Sequence, residues 1–224
     1  MTYVMSDIHG RYDKYKLMLK EINFKDNDDL YVIGDMIDIG KYPVELLRDM
    51  SMRANVFPIL GDHEYLALKI IKRAKNSTKE NADFRQMVDE WLKIGGNTTA
   101  NGLAVLEDDE REALIEYLED LPLYEEIYIG SQKYILVHAG LGQFSSEREL
   151  DDYSPEELVL EKLDMNKCYF DDAIIISGHT VLENTEGGQR RVVRKNSNIS
   201  INCGEAEDQP LCAICLESGK EYYV

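Results

Sequence analysis

Apolar and polar stretches alternate in blocks over the first third of the chain. Three apolar runs too short for helices are typical of buried strands, at 2–6, 29–35 and 54–62. Segments with helical spacing follow each of them, at 11–22, 43–52 and 64–75. The second helical segment has a proline at its first turn, where proline is well tolerated. This order predicts a parallel sheet with helical crossovers.

The remaining two thirds change character at about residue 122. Residues 76–122 are polar and mainly helical in pattern, with a break at "GGN" (95–97), and we interpret them as an inserted helical lobe. Strands are predicted at about 123–130 and 132–137, a helix from "SPEELVLEKL", and a strand at 171–178. Three more strands, expected to be antiparallel, are predicted at 190–195, 197–204 and 210–217. The pattern favours an α/β (α+β) fold with two mixed sheets packed as a sandwich between helices.

Composition limits the possible functions. The 224 residues, 44% hydrophobic, suit one soluble domain with a full core. A formal charge of −18 would repel nucleic acid and anionic membrane surfaces, so we expect neither as a partner. The chain contains no stretch of ~20 apolar residues, and "MTYVMSDIHGR" lacks the layout of a signal peptide. A cytoplasmic location is therefore expected.

All four histidines of the sequence stand where an apolar run ends. They are His9, His63, His138 and His179. A single such histidine is more often a hydrogen-bonded structural residue. Because ligands bind beyond the carboxyl ends of parallel strands, the shared placement of all four favours a functional cluster.

Three aspartates share that placement. Asp7, Asp35 and Asp62 close the first three predicted strands, at intervals close to the ~30 residues of a strand–helix unit. Their carboxylates would meet at one sheet edge, where repulsion is costly unless a cation lies among them. Together with His9, His138 and His179 they offer oxygen and nitrogen donors that suit manganese, iron or zinc. Six ligands fit two ions roughly 3.5–4 Å apart.

Two aspartates lie close together in "VIGDMIDIG" (32–40). We expect Asp35 to bridge the two ions and Asp38 to face His63 instead. A carboxylate bonded to one imidazole nitrogen fixes the tautomer and favours the protonated ring. His63 would then be the general acid that protonates a leaving group.

Five ordered motifs carry a family resemblance. They are "DIHG" (7–10), "GDMIDIG" (34–40), "GDHE" (61–64), "HAG" (138–140) and "GHT" (178–180). With them the chain resembles the phosphoprotein phosphatase branch of the calcineurin-like metallophosphoesterases, in its bacterial form. The resemblance runs from residue 3 to about residue 217 and includes "WLKIGG" and "INCG". It implies a single metallophosphoesterase domain over residues 1–224, with the helical insertion at about 76–122.

The resemblance also implies roles for the same residues. Asp7 and His9 match the first metal site, Asp35 the bridging ligand, and Asp62, His138 and His179 the second site. His63 and Asp38 match the acid pair of the family. Two divalent ions, most simply manganese, with iron or zinc as alternatives, are the implied cofactors.

The sequence departs from the family pattern at four positions. Ile39 and Leu60 replace arginines that grip phosphate, Asp62 replaces an asparagine, and Asn202 replaces an acid. The grip on substrate must therefore come from elsewhere. Candidate cations are Lys41, Arg11, Arg148 and the run at 190–195, none of which is assigned.

The resemblance implies a phosphatase that hydrolyses phosphate monoesters by metal-activated hydroxide, with His63 as the general acid. Phosphoserine or phosphothreonine protein is the first substrate class, with small phosphoesters as alternatives. The second reading is a dinucleoside tetraphosphate hydrolase. A third, non-catalytic phospho-binding module is supported only by the missing arginines.

Overall fold

The computed structural model describes residues 1–76, 82–183 and 190–224. Its helices are α1 (Tyr12–Glu21), α2 (Pro43–Ser51), α3 (Asp62–Asn76), α4 (Ala82–Trp91), α5 (Asn97–Ala104), α6 (Asp108–Glu119) and α7 (Pro155–Val159). A π-helical turn (Leu92–Gly96) joins α4 to α5, and a 3₁₀ turn (Leu150–Asp152) precedes α7. The strands are β1 (Thr2–Met5), β2 (Asp29–Ile33), β3 (Val56–Ile59), β4 (Tyr124–Ile129), β5 (Gln132–Val137), β6 (Ala173–Ser177), β7 (Val193–Lys195), β8 (Asn198–Ser200), β9 (Cys212–Cys215) and β10 (Glu221–Tyr223). Within the described ranges, none of the helices has the length and apolar character needed to cross a membrane.

These strands form two mixed sheets, as the sequence predicted. The first sheet has the order β10-β9-β1-β2-β3 and the second β4-β5-β6-β8-β7 among the described residues. In the first, β1, β2 and β3 are parallel while β9 runs antiparallel to β1. In the second, β5, β6 and β8 are parallel, with antiparallel strands at both edges. The carboxyl ends of β1, β2, β3, β5 and β6 thus supply the loops of the site.

Alternation of side chains along the strands builds the layers. On β1, Val4 belongs to a cluster shared by both sheets, whereas Tyr3 and Met5 belong to the cluster under the helices. On β5, Leu136 joins the shared cluster, whereas Ile135 packs with the residues around α7. A period of two is what a strand buried on both faces requires. The order is therefore helices, sheet, sheet and loop-rich cover.

The last third matches the prediction in part. The strand predicted within 197–204 is antiparallel to β7, as expected, and its other edge pairs in parallel with β6, which was not predicted. A strand at Glu221–Tyr223 was not predicted, since only three residues pair with β9 there. The break predicted at 95–97 coincides with the π-helical turn. Residues 77–81 and 184–189 of the predicted segments lie outside the described ranges.

One buried carboxylate holds the loops after β2 and β3 together. Glu64, in the first turn of α3, is fully buried. Its Oε1 accepts hydrogen bonds from the backbone N–H groups of Met36 (2.8 Å) and Ile37 (3.0 Å). Its Oε2 accepts from those of Asp35 (2.9 Å) and Gly61 (3.0 Å). A buried carboxylate surrounded by N–H donors fixes the path of both loops.

The substitution Glu64→Gln should destabilise the fold. An amide replaces one carboxylate oxygen by an NH₂ group, which cannot accept a hydrogen bond. The two backbone N–H groups that face that position then lose their acceptor. A loss of about 2–4 kcal/mol in the free energy of unfolding is expected, given about 1.5–3 kcal/mol for a bond to a charged group. Urea denaturation measures it.

The matched control is Glu112→Gln, which removes the same charge from an exposed position on α6. Equal stability losses for the two variants would contradict the role given to Glu64.

Candidate active site

All eight predicted site residues lie beyond the carboxyl ends of strands and meet in one cluster. Asp7 and His9 follow β1, Asp35 and Asp38 follow β2, Asp62 and His63 open α3, His138 follows β5 and His179 follows β6. Adjacent loops are tied by backbone hydrogen bonds, such as those from His9 N–H to Asp35 O (2.8 Å) and from Gly178 N–H to His138 O (2.8 Å). The sequence placement is therefore reproduced in space.

The backbone of these loops is left-handed at most of the site residues. The φ angle is 53° at Asp7, 48° at His9, 52° at Asp35, 67° at Asp38 and 57° at His179. Asp and His tolerate this region better than most residues, and such outliers concentrate at functional sites. The tight turns aim the side chains back across the strand ends.

One group of donors comprises Asp35, Asp62, His138 and His179. One ligand atom from each lies within 4.8 Å of the others. Asp62 Oδ1 is 2.9 Å from His138 Nε2 and 3.0 Å from His179 Nδ1. Close approach is possible because Gly61 has no side chain; a Cβ there would lie 2.3 Å from Asp35 Oδ1. This is the position predicted for the second ion.

A neighbouring group comprises Asp7 and His9, joined by Glu205 of the loop after β8. Asp35 stands between the two groups. Its Oδ2 is 3.5 Å from His9 Nε2, and its Oδ1 is 3.5 Å from His138 Nε2. One carboxylate with an oxygen toward each group is the arrangement that a bridging ligand needs.

Backbone carbonyls fix the orientation of two imidazoles. His9 Nδ1 lies 3.1 Å from Ile37 O, and His138 Nδ1 lies 2.9 Å from Ile33 O. Because a carbonyl only accepts, each Nδ1 donates a proton to it, and the Nε2 of each ring faces the cluster. The buried Nε2 of His9 has no hydrogen-bond partner within the described structure. An orphaned imidazole nitrogen beside buried carboxylates fits a transition-metal ligand.

The pKa values of the three aspartates also favour a bound cation. Burial raises the pKa of Asp7 to about 6 and raises that of Asp35 well above its usual value. Burial works against the charge of Asp62, but hydrogen bonds from His138 and His179 outweigh it and hold the pKa of Asp62 low. Desolvation and mutual repulsion thus disfavour the charged forms of these buried carboxylates unless a cation lies among them.

His63 is paired with Asp38, and it also belongs to a third donor group with His9 and Asp35. Its Nδ1 donates to Asp38 Oδ2 over 2.7 Å, and both side chains are buried. Burial alone would lower the pKa of His63, but the carboxylates of Asp35 and Asp38 outweigh it and raise the pKa to about 10. The two carboxylates therefore favour the protonated form of this imidazole.

Two of the candidate phosphate-binding cations are committed elsewhere. Each of the five guanidinium N–H groups of Arg11 has a backbone acceptor, namely the carbonyls of Ile8, Asp7, Gly204, Ala206 and Gln209. Arg148 makes a two-point ion pair with Glu157, at 2.9 and 3.0 Å. Arg11 thus ties the loop after β8 to the loop after β1, and neither cation is free to hold a substrate.

The other candidates differ in exposure. Lys41 is exposed and lines a groove between α2 and α5. In the basic run, Arg194 pairs with Glu221, and Arg191 lies over the ring of Tyr223. The two positions that usually carry arginine in the resembled family are filled differently: Leu60 packs in the core, and Ile39 donates its N–H to Gly95 O (3.2 Å).

Sequence reasoning did not assign roles to several residues that build the site. Asn202 donates from its amide to Asp7 Oδ1 (2.9 Å) and to His179 O (3.1 Å), which an acid there could not do. Trp91 and Thr99 both donate to Asp38. The one tryptophan of the sequence, beside a Gly-Gly pair, was the signal available for this contact.

Comparisons with known proteins agree with this geometry. The sequence profile of the calcineurin-like phosphoesterases matches residues 2–203. Two relatives named "Bis(5'-nucleosyl)-tetraphosphatase, symmetrical" come from Buchnera aphidicola subsp. Schizaphis graminum and Wigglesworthia glossinidia brevipalpis. They are 30% and 31% identical over 75% and 62% of this chain, and the matches cover 53% and 44% of their own lengths. The chain therefore spans about half the length of the curated relatives it matches.

Solved structures share the fold at low sequence identity. A proposed diadenosine tetraphosphatase superposes with a TM-score of 0.68 at 18% identity, covering 100% of this chain and 92% of that one. A protein serine/threonine phosphatase from Saccharomyces cerevisiae gives 0.62 at 15% identity, covering 100% and 78%. Since the family match runs through every strand that bears a site residue, this chain belongs to the calcineurin-like phosphoesterase family.

Proposed function

We propose that the protein hydrolyses a dinucleoside tetraphosphate symmetrically, giving two nucleoside diphosphates. The observation that carries hydrolysis of a phosphorus–oxygen bond is the double donor cluster beside the Asp38–His63 pair. The names of the relatives favour this substrate class over phosphoprotein, which the sequence alone had placed first. We treat the chain as one catalytic domain with a helical insertion.

We propose ligands for two cations from the donor groups of the cluster. Asp7, His9 and Asp35 would hold the first, since His9 shares one donor group with Asp7 and another with Asp35. Asp35, Asp62, His138 and His179, which form a single donor group, would hold the second. Bound there, divalent ions supply a hydroxide nucleophile at neutral pH and neutralise the phosphoryl oxygens. The protein keeps the ligands in place through the carbonyls behind His9 and His138 and through the amide of Asn202.

His63 completes the reaction on the opposite side of the phosphoryl group. Its Nδ1–H is held by Asp38, so Nε2 carries the proton that is given to the departing oxygen. Asp38 keeps the ring in that tautomer and stabilises its positive charge. The proton is replaced from solvent after the product leaves.

Phosphoserine or phosphothreonine protein is the second candidate, and the acid pair favours it. An alkoxide is a far more basic leaving group than a nucleoside diphosphate, so it gains more from a proton donor. The likeness in fold to the yeast phosphatase is compatible with this activity but shows the fold alone.

The substrate class is tested by comparing kcat/KM for diadenosine tetraphosphate, a phosphoserine peptide and p-nitrophenyl phosphate, with added manganese. Diadenosine tetraphosphate should give the highest value and two ADP for each molecule consumed. A product pair of AMP and ATP would contradict symmetrical cleavage, and a higher value for the phosphopeptide would favour the second candidate.

The metal assignment is tested by elemental analysis after manganese loading and desalting. About two ions per chain are expected. The variant Asp62→Asn should retain fewer, because it removes a negative charge that lies 2.9 and 3.0 Å from two imidazole nitrogens.

Asp26→Asn, at an exposed position, is the control for loss of one charge. Trace metal in the wild-type protein, or equal retention in the two variants, would count against the assignment.

The acid role is tested with His63→Asn. Metal content should stay near normal, while hydrolysis of phenyl phosphate slows by about 10²–10⁴-fold, the usual contribution of a general acid. Hydrolysis of p-nitrophenyl phosphate should slow much less, because its leaving group departs without a proton. Equal slowing on both esters would remove His63 from this role, and loss of metal would make it a ligand.

A further inference from the structure

The Asp38 carboxylate has more partners than the acid pair requires. The side chain is fully buried. Its Oδ2 accepts from Trp91 Nε1 (2.8 Å) as well as from His63 Nδ1, and its Oδ1 accepts from Thr99 Oγ1 (2.6 Å). The same hydroxyl oxygen accepts a hydrogen bond from Asp38 N–H (2.9 Å). Thr99 therefore uses both its donor and its acceptor capacity on one residue.

Both donors come from the helical segment inserted between β3 and β4. Trp91 ends α4 and Thr99 lies in the first turn of α5, with the π-helical turn between them. That turn meets the Asp38 loop, since Gly95 O accepts from the N–H of Ile39. Gly96 allows the indole to approach, because a Cβ there would lie 2.4 Å from Trp91 Nε1.

Packing alone does not account for the residue types. Trp91 is 5% exposed and Thr99 is 1% exposed, so apolar side chains of similar shape would fill either position. The indole N–H is only a donor, and it is aimed at a carboxylate. Hydrogen bonds to a charged acceptor are stronger and more directional than neutral ones. The polar atoms therefore act on the position of Asp38.

We propose that Trp91 and Thr99 are positioning residues for the general acid. Held at both oxygens, the Asp38 carboxylate cannot rotate, so it keeps the His63 ring aligned for proton transfer to the leaving group. This inference rests on the proposed acid role of His63. It gives the inserted segment a part in the reaction although neither side chain reaches the donor cluster.

The kinetic test is the ratio of kcat/KM for phenyl phosphate to that for p-nitrophenyl phosphate. Trp91→Phe and Thr99→Val should each lower the ratio roughly tenfold, at the lower end of the 10–100-fold effects of residues that support a functional side chain. Thr99→Ser keeps the hydroxyl and should restore the ratio. Thr98→Val removes a neighbouring hydroxyl that bonds Gly95 O instead, and should leave the ratio unchanged.

A double-variant cycle separates the two hypotheses. In a His63→Asn background, Trp91→Phe should change the ratio no further, because the acid it positions is gone. If His63→Asn itself leaves the ratio unchanged, the proposed acid role fails. If His63→Asn lowers the ratio and Trp91→Phe and Thr99→Val do not, the positioning role fails alone.

The contact can also be observed without turnover. The sequence contains one tryptophan, so the indole N–H resonance in a ¹H–¹⁵N spectrum reports on Trp91 only. Asp38→Asn should move this resonance upfield, as its acceptor loses charge, whereas Asp26→Asn should not move it. An unchanged chemical shift of this resonance in a folded Asp38→Asn variant would overturn the proposal.

Discussion

The repulsion among buried carboxylates at one sheet edge is the constraint on which the site depends. Asp7 and Asp35 are almost inaccessible to solvent, and Asp62 lies in the same donor group as Asp35. Such groups persist only where donors or cations offset their charge. Neutral donors stabilise two of the buried carboxylates. The amide of Asn202 donates a hydrogen bond to Asp7, and backbone N–H groups donate to the nearby Glu64. The remaining charge is left for metal ions.

Arg11 is buried near Asp7 but does not neutralise its carboxylate. In a chain with a formal charge of −18, a buried cation beside Asp7 would be expected to bind that carboxylate directly. The guanidinium of Arg11 instead donates its hydrogen bonds to backbone carbonyl groups, including that of Asp7. It holds the loops without neutralising the ligand oxygens, which stay available to a cation.

The sequence predicted what depends on local pattern. Period and turn residues were enough to place β1, β2 and β3, and therefore Asp7, Asp35 and Asp62, at one edge. The four histidines could be placed at the same kind of position, because each also follows an apolar run. The contacts of Trp91 and Thr99 with Asp38 could not be predicted in this way, since 53 and 61 residues separate the partners and no periodicity relates them. The parallel pairing of β8 with β6 could not be predicted for a similar reason, because the choice of a second neighbour depends on contacts distant in sequence and not on the residues of the strand.

The pairing of β1 with β9 has a consequence for how the protein is made. Tyr3 lies opposite Cys215, and the loop that Arg11 binds precedes β9, so nearly the whole chain separates the partners. Contacts of such long sequence separation form late, because the entropy of closing the loop must be overcome first. During synthesis on the ribosome, β1 emerges early and waits with an open edge until β9 has left the exit tunnel. The turn after β1, which Arg11 ties to the loop before β9, therefore gains these contacts only after that closure.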